Sequence, residues 1–267
     1  MSVVAEICDS CNLKCALCWN RNRIPSKKQM ELKTVQKILD KFGRTRIGWY
    51  NWGEPLLHTE FPKIAEMVKK SYSCISSSLS LDLEDSYFDA LRNFRTVYVS
   101  ISGMTEEVYK IYNRGGNFEL VMSNLRKLVA RNKNRIVLVW QGHPFNVHQK
   151  EECKKLCMDL GIEFSPTTLN CEVEDLVMGF NHALLKNPKF KESPYFNCKL
   201  LFNTLPIDVD GNYLLCCASH NVKTGYSIWD DVTQGEVFRS RADLDLCVHA
   251  KTRDFGECFR KCYLIFK

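Results

Sequence analysis

The opening stretch MSVVAEICDS lacks the two marks of an export signal, a positively charged start and a long apolar segment behind it. No apolar run in the 267 residues approaches the roughly 20 positions needed to cross a bilayer. Internal repeats, low-complexity tracts and Pro/Ser-rich linkers are also missing, which excludes a solenoid and a pair of domains on a flexible tether. An excess of one charge sign is nearly missing too: 37 Lys and Arg against 31 Asp and Glu leave a formal charge of +6. Part of that surplus lies in NRNRIPSKKQ and RKLVARNKNR, which read as a solvated loop and helix face rather than a nucleic-acid platform. The absences point to a cytoplasmic protein with no membrane partner. The length allows one large α/β domain with a modest appendage.

Cysteine, by contrast, is abundant. Fourteen cysteines in a chain expected to stay in a reducing compartment suggest metal binding more than disulfides. Four of them fall in CDSCNLKCALCW, directly after a short apolar strand. Cys11, Cys15 and Cys18 stand with three and then two residues between them. Three thiolates on one tight loop can hold three irons of a 4Fe-4S cube and leave the fourth iron open to a small molecule. The competing reading is a closed zinc tetrahedron completed by Cys8, a structural module without catalysis. Elsewhere, Cys153 and Cys157 lie four apart on a helix and read as a packed face, while Cys74 and Cys171 read as core or near-surface thiols.

From residue 1 to about 170, short β-rich runs alternate with amphipathic helical stretches, the pattern of a parallel sheet with crossover helices. Strands are expected at SVVAEI, TRIGWY, SCISSSL, TVYVSI, RIVLVWQ and GIEFSP. Helices are expected to begin near Leu32, Phe61, Leu83, Glu106, Phe118 and Gln149, with apolar spacings of three and four such as Val35, Ile38, Leu39, Phe42. Six such units suggest an open or partial barrel. In parallel barrels chemistry collects at the carboxyl ends of the strands, where the cysteine loop, NWGEP, SSS, Ser102, Gln141 and His143 all fall. His143 and His148 flank the fifth strand's end and read as satisfied or solvated side chains, or as groups facing a substrate. Trp49, Trp52 and Trp140 read as core.

CNLKCALC resembles the CxxxCxxC signature of the radical S-adenosylmethionine (radical SAM) enzymes. WYNWGEPLLHTEFPKIAEMVKK resembles their GGEP segment, with Trp52 in place of the first glycine and Gly53 and Glu54 matching the rest. The likeness continues through SSSLSLDLEDSYFDAL and VYVSISGMTEEVYKIYNRGGNFELVMSNL, and so covers most of residues 3 to 170. It implies a partial (β/α)6 barrel in which Cys11, Cys15 and Cys18 hold a 4Fe-4S cluster whose fourth iron chelates S-adenosylmethionine. Gly53, Glu54, Ser78, Ser102 and Gln141 are then cofactor-contacting candidates. Two further departures matter: Leu17 occupies a usually aromatic position, with Trp19 just behind it as a candidate wall of the cofactor pocket, and Ser102 replaces a frequent aspartate.

After about residue 187 the pattern changes. LPIDVDGNYLLCC reads as a hairpin turning at Asp210-Gly211. Cys198, Gly211 and Cys216 fit a C-x(9-15)-G-x(4)-C element, and Cys247, Cys258 and Cys262 follow in a short tail poor in apolar periodicity. This resembles the twitch form of the SPASM extension. The resemblance implies a core over 1–187, an extension over 188–267, and one auxiliary 4Fe-4S cluster on Cys198, Cys216, Cys258 and Cys262, with Cys247 and Cys217 as substitutes. A structural zinc is the alternative.

The implied reaction is reductive cleavage of S-adenosylmethionine to a 5'-deoxyadenosyl radical. That radical abstracts a substrate hydrogen, and the auxiliary cluster accepts the remaining electron. Such an enzyme needs a low-potential donor such as flavodoxin or ferredoxin and suits dehydrogenation of a sugar, an aminocyclitol or a similar small molecule. Crosslinking or epimerisation of a ribosomally made peptide is the first alternative, and RNA modification the second.

Overall fold

The computed structural model describes residues 2–16, 18, 20, 26–168, 203–215 and 223–241. Its strands are β1 (Ser2–Ala5), β2 (Arg46–Gly48), β3 (Tyr72–Ser77), β4 (Thr96–Ile101), β5 (Arg135–Gly142), β6 (Glu163–Thr168), β7 (Thr204–Ile207), β8 (Asn212–Leu214) and β9 (Lys223–Ser227). Six helices connect the first six strands: α1 (Leu32–Phe42), α2 (Phe61–Val68), α3 (Asp85–Leu91), α4 (Glu106–Tyr112), α5 (Phe118–Arg131) and α6 (Lys150–Leu160).

All nine strands form one sheet in the order β6-β5-β4-β3-β2-β1-β7-β8-β9. Pairing is parallel from β6 through β1, with Val3 beside Ile47, Gly48 beside Cys74 and Val99 beside Leu138. This is the expected α/β partial barrel with an antiparallel C-terminal extension. β7 pairs in parallel with β1, Val3 facing Leu205, and only then does the chain turn back through Gly211 (φ 89°) into β8. The hairpin therefore continues the barrel sheet.

Local chemistry explains the helices. Thr105 and Asn117 accept from the backbone N–H groups of Val108 and Leu120 and so start α4 and α5. Gly161, at φ 65°, closes α6 in the left-handed conformation. The apolar stripe of each helix packs on one face of the sheet: Val35 and Ile38, Ile64 and Val68, Phe88 and Leu91, Leu125 and Leu128 join Val3, Ile47, Ile75, Val97 and Leu138 in one core. Each such buried side chain contributes about 1.5–3 kcal/mol. Cys153 and Cys157 belong to this core, as a packed helix face should, and so do Trp49 and Trp140.

Strand alternation sends the other residues to the inner face. There Val4, Ser76, Tyr98, Ser100, Val139 and Gln141 are only half-buried. A cavity of about 290 Å³ follows β1, β2 and β7 on this side, lined by Val4, Arg46, Gly48, Tyr50, Trp52 and Cys74 among others. Arg46 bonds the Tyr98 hydroxyl at the amino end of the strands, which leaves the carboxyl ends as the mouth.

Candidate active site at the carboxyl ends of the strands

The loop leaving β1 closes on itself before it reaches its last three cysteines. Met30 donates its N–H to the Ile7 carbonyl at 2.8 Å, Asp9 donates to Lys28 at 3.1 Å, and Cys8 bridges Gln29. The Asp9 carboxylate accepts from the Ser26 backbone N–H at 3.0 Å and from its hydroxyl, locking the neck. Cys8 is part of that neck. It is 2% exposed, with its thiol directed to the Ser10 carbonyl 3.8 Å away.

Cys11, Cys15 and Cys18 lie beyond the neck and are half-buried. Burial pushes the Cys11 thiol up to about 12, with Glu54 and then Cys18 adding to the effect. Burial also raises Cys15, followed by the charges of Cys18 and Cys11. Cys8 is raised by burial to about 11, but its charged neighbours are Asp9, Glu54 and Glu6. Cys11 and Cys15 each feel the charge of Cys18, whereas no cysteine is among the groups that shift Cys8. Three thiolates on one loop could each take one iron of a 4Fe-4S cube and leave the fourth iron open, and loading them would release protons from the raised thiols.

Neighbouring segments seat the loop. Asn12 donates its side-chain amide to the Ser80 carbonyl at 2.6 Å, beyond the end of β3. Lys14 and Ala16 donate their N–H groups to the carbonyls of Arg114, just past α4, and Tyr112, its last residue, both at 2.9 Å. The loop sulfurs accept hydrogen bonds: Cys11 from the Leu13 N–H at 3.4 Å, Cys15 from the Asn113 amide at 3.6 Å, and Cys18 from the Asn20 backbone.

The segment after β2 packs directly under this loop. The N–H groups of Trp52 and Gly53 both donate to Glu6 Oε1, at 3.2 and 3.1 Å, and the Glu54 N–H donates to the Ser10 carbonyl at 2.7 Å. Glu54 is buried, with Oε1 accepting from the Leu56 N–H and Oε2 from both the N–H and the hydroxyl of Ser78 at 2.9 and 3.0 Å. Burial still holds its carboxyl above the usual carboxylate range against those donors. Gly53 makes a close approach to the chain itself, as a Cβ there would meet the Cys8 carbonyl.

A second pair forms at the ends of β4 and β5, where the Ser102 hydroxyl donates to Gln141 Oε1 at 3.0 Å. Buried Asn146 fixes that pair. Its amide donates to the carbonyls of Ser102 and Gln141 at 2.8 and 2.9 Å, and its Oδ1 accepts the His143 N–H at 2.7 Å. His143 is 2% exposed and sits between Tyr112 and Phe145, and neither ring nitrogen has a hydrogen-bond partner among the described residues. His148 is exposed.

The geometry thus joins Gly53, Glu54 and Ser78 to the cysteine loop and places Ser102 with Gln141 across the mouth. Within SSS, alternation turns Ser76 and Ser78 inward and Ser77 outward. Glu6, Asn113 and Asn146 were not anticipated, although Glu6 follows Val4 at the inward spacing of two. Trp19, Cys198, Cys216, Cys258 and Cys262, with Cys171, Cys217 and Cys247, lie outside the described residues.

Comparison with known proteins agrees with this layout. The model of the Radical SAM superfamily matches residues 6–157, more than half of the chain. A protein of Methanococcus maripaludis described as a probable GTP 3',8-cyclase is 29% identical over 173 residues, which are 60% of this chain and 58% of that protein. The match therefore spans little more than half of the relative's length. Among solved structures, Streptococcus suis SuiB bound to S-adenosylmethionine is similar with a TM-score of 0.65 at 15% identity, over 86% of this chain and 64% of that one. The enzyme anSMEcpe with bound AdoMet gives a TM-score of 0.60 at 17% identity, over 98% and 87%.

Proposed function

This chain belongs to the radical SAM superfamily, and we propose that it is an oxidising member that dehydrogenates a sugar, an aminocyclitol or a similar hydroxylated small molecule. In this reading Cys11, Cys15 and Cys18 hold the 4Fe-4S cluster that binds S-adenosylmethionine. Cys198, Cys216, Cys258 and Cys262 hold an auxiliary 4Fe-4S cluster in a twitch-like extension. When bound, the first cluster supplies the electron that cleaves S-adenosylmethionine and so initiates hydrogen abstraction.

The observation that carries the reading is the uncharged polar lining at the carboxyl ends of β3, β4 and β5. Ser76, Ser78, Ser100, Ser102 and Gln141 offer uncharged donors and acceptors, suited to the hydroxyls of a polyol. The carboxylates of Glu6 and Glu54 are engaged by backbone N–H groups and by Ser78. Among the described inner-face residues of β2 and β5 the cations are Arg46, which bonds Tyr98, and Arg135, which pairs with Glu163, both at the amino ends of the strands. The match to the probable GTP 3',8-cyclases covers less than two thirds of their length, so the activity named for them is not carried over.

The chain's own residues then have defined work. Glu54 and Ser78 tie the ends of β2 and β3 beneath the cysteine loop, the Ser102–Gln141 pair presents hydrogen-bonding groups across the mouth, and the helix-packed outer face keeps water from the far side of the sheet.

Anaerobic reconstitution followed by turnover with a strong reductant tests the reading. It expects about eight irons per chain, and release of 5'-deoxyadenosine coupled to loss of two hydrogens from a sugar or aminocyclitol. Turnover of GTP or of a peptide alone would replace it.

A further inference from the structure

We propose that Asn113 sets the reduction potential of the S-adenosylmethionine-binding cluster by donating an amide hydrogen bond to the sulfur of Cys15. The inference rests on Cys15 being a ligand of that cluster. The side chain of Asn113 reaches the Cys15 sulfur at 3.6 Å. The residue is 3% exposed, so the contact is shielded from water. Among the described residues its amide oxygen has no partner, and no competing donor there holds the side chain in another orientation. A thiolate accepts and does not donate, which fixes the nitrogen as the atom that faces the sulfur.

The pair is held from both sides. Lys14 and Ala16 donate their N–H groups to the carbonyls of Arg114 and Tyr112, each at 2.9 Å, so the residues before and after Cys15 are fastened to those after and before Asn113. Asn113 is itself anchored. Its N–H donates to Tyr109 at 2.9 Å, closing α4, and its carbonyl accepts from Gly116 at 3.0 Å. Movement of the amide away from the sulfur requires the α4 terminus to move.

Hydrogen bonds to cluster sulfurs withdraw electron density and stabilise the reduced, more negative form, which raises the potential. Asn113 thereby brings the cluster within reach of its electron donor. It is a positioning residue that acts through Cys15.

Redox titration of the reconstituted full chain, followed by electron paramagnetic resonance, tests the assignment. Asn113→Leu keeps a similar shape without the donor and shifts the midpoint to more negative values at unchanged iron content. Asn113→Asp adds a negative charge and shifts it further. In wild-type protein grown with ¹⁵N-labelled asparagine, pulsed resonance of the reduced cluster detects an amide nitrogen coupling, and Asn113→Leu loses it. Unchanged midpoints in both variants, or no ¹⁵N coupling in the wild type, overturn the proposal while leaving the cluster ligands as assigned. A Cys15→Ala protein that keeps its cluster overturns the ligand assignment and the proposal together.

Discussion

The α-carbon of Gly53 lies so near Cys8 that a Cβ on it would stand 1.8 Å from the Cys8 carbonyl oxygen and 3.0 Å from that of Ser10. The loop after β2 and the neck of the cysteine loop are thus in backbone contact, and the fold of one sets the position of the other.

Gly53→Ala forces those two backbones apart, because the obstructing atom belongs to the main chain and cannot rotate away. The cost is about 1–3 kcal/mol or more, and the cysteine loop loses its seat. Thermal unfolding together with iron retention after reconstitution measures both. Gly161→Ala is the contrast: that glycine is left-handed in open space, so the variant loses about 1–2 kcal/mol from backbone strain and keeps its iron.

Asn146→Ala leaves the Ser102 and Gln141 carbonyls and the His143 N–H without their partner. Orphaned buried groups cost about 1–3 kcal/mol each, so urea unfolding is expected to shift to clearly lower denaturant. Ser102→Ala removes only the bond to Gln141. It should leave stability within about 1 kcal/mol of wild type while weakening S-adenosylmethionine binding in a calorimetric titration. Unchanged binding would remove the pair from the cofactor site.

His143 makes the fold sensitive to acid. Burial lowers its pKa to about 4 in the folded chain, against 6.5 when free. The unfolded chain therefore takes up a proton first, and the contribution present above pH 6.5 is lost as pH falls toward 4. The loss amounts to about 3 kcal/mol. His58, lowered by burial as well, adds to the slope. His143→Phe preserves a ring between Tyr112 and Phe145 and removes both unpartnered nitrogens. It is expected to flatten the dependence of urea-unfolding stability on pH between 6.5 and 4, leaving the share due to His58. An unaltered slope would count against the burial of His143.

Much of this arrangement is legible in the sequence. The six strands and the starts of α1, α2, α4 and α5 follow from apolar spacing, because each helix buries a stripe on a sheet that is covered on that face. α3 begins at Asp85 rather than at Leu83 because Glu84 keeps extended backbone (φ −68°, ψ 156°). The docking of β7 on β1 was not legible. TLPI contains Pro206, which lacks a ladder donor, and the choice of a partner edge is made by tertiary packing. Glu6, Asn113 and Asn146 escaped for a related reason: each is an ordinary polar residue in sequence, and its role depends on a partner between 5 and 98 positions away.

The central claim is that the cysteine loop is an open cluster of three thiolates, with Cys8 in the neck outside it. Iron and sulfide content of Cys8→Ala and Cys15→Ala after anaerobic reconstitution, measured alongside 5'-deoxyadenosine release under reductant, tests this most directly. The account expects Cys8→Ala to keep the S-adenosylmethionine-binding cluster and the cleavage activity, and Cys15→Ala to lose both. Loss of metal from Cys8→Ala, with zinc and no iron in the wild type, would contradict it.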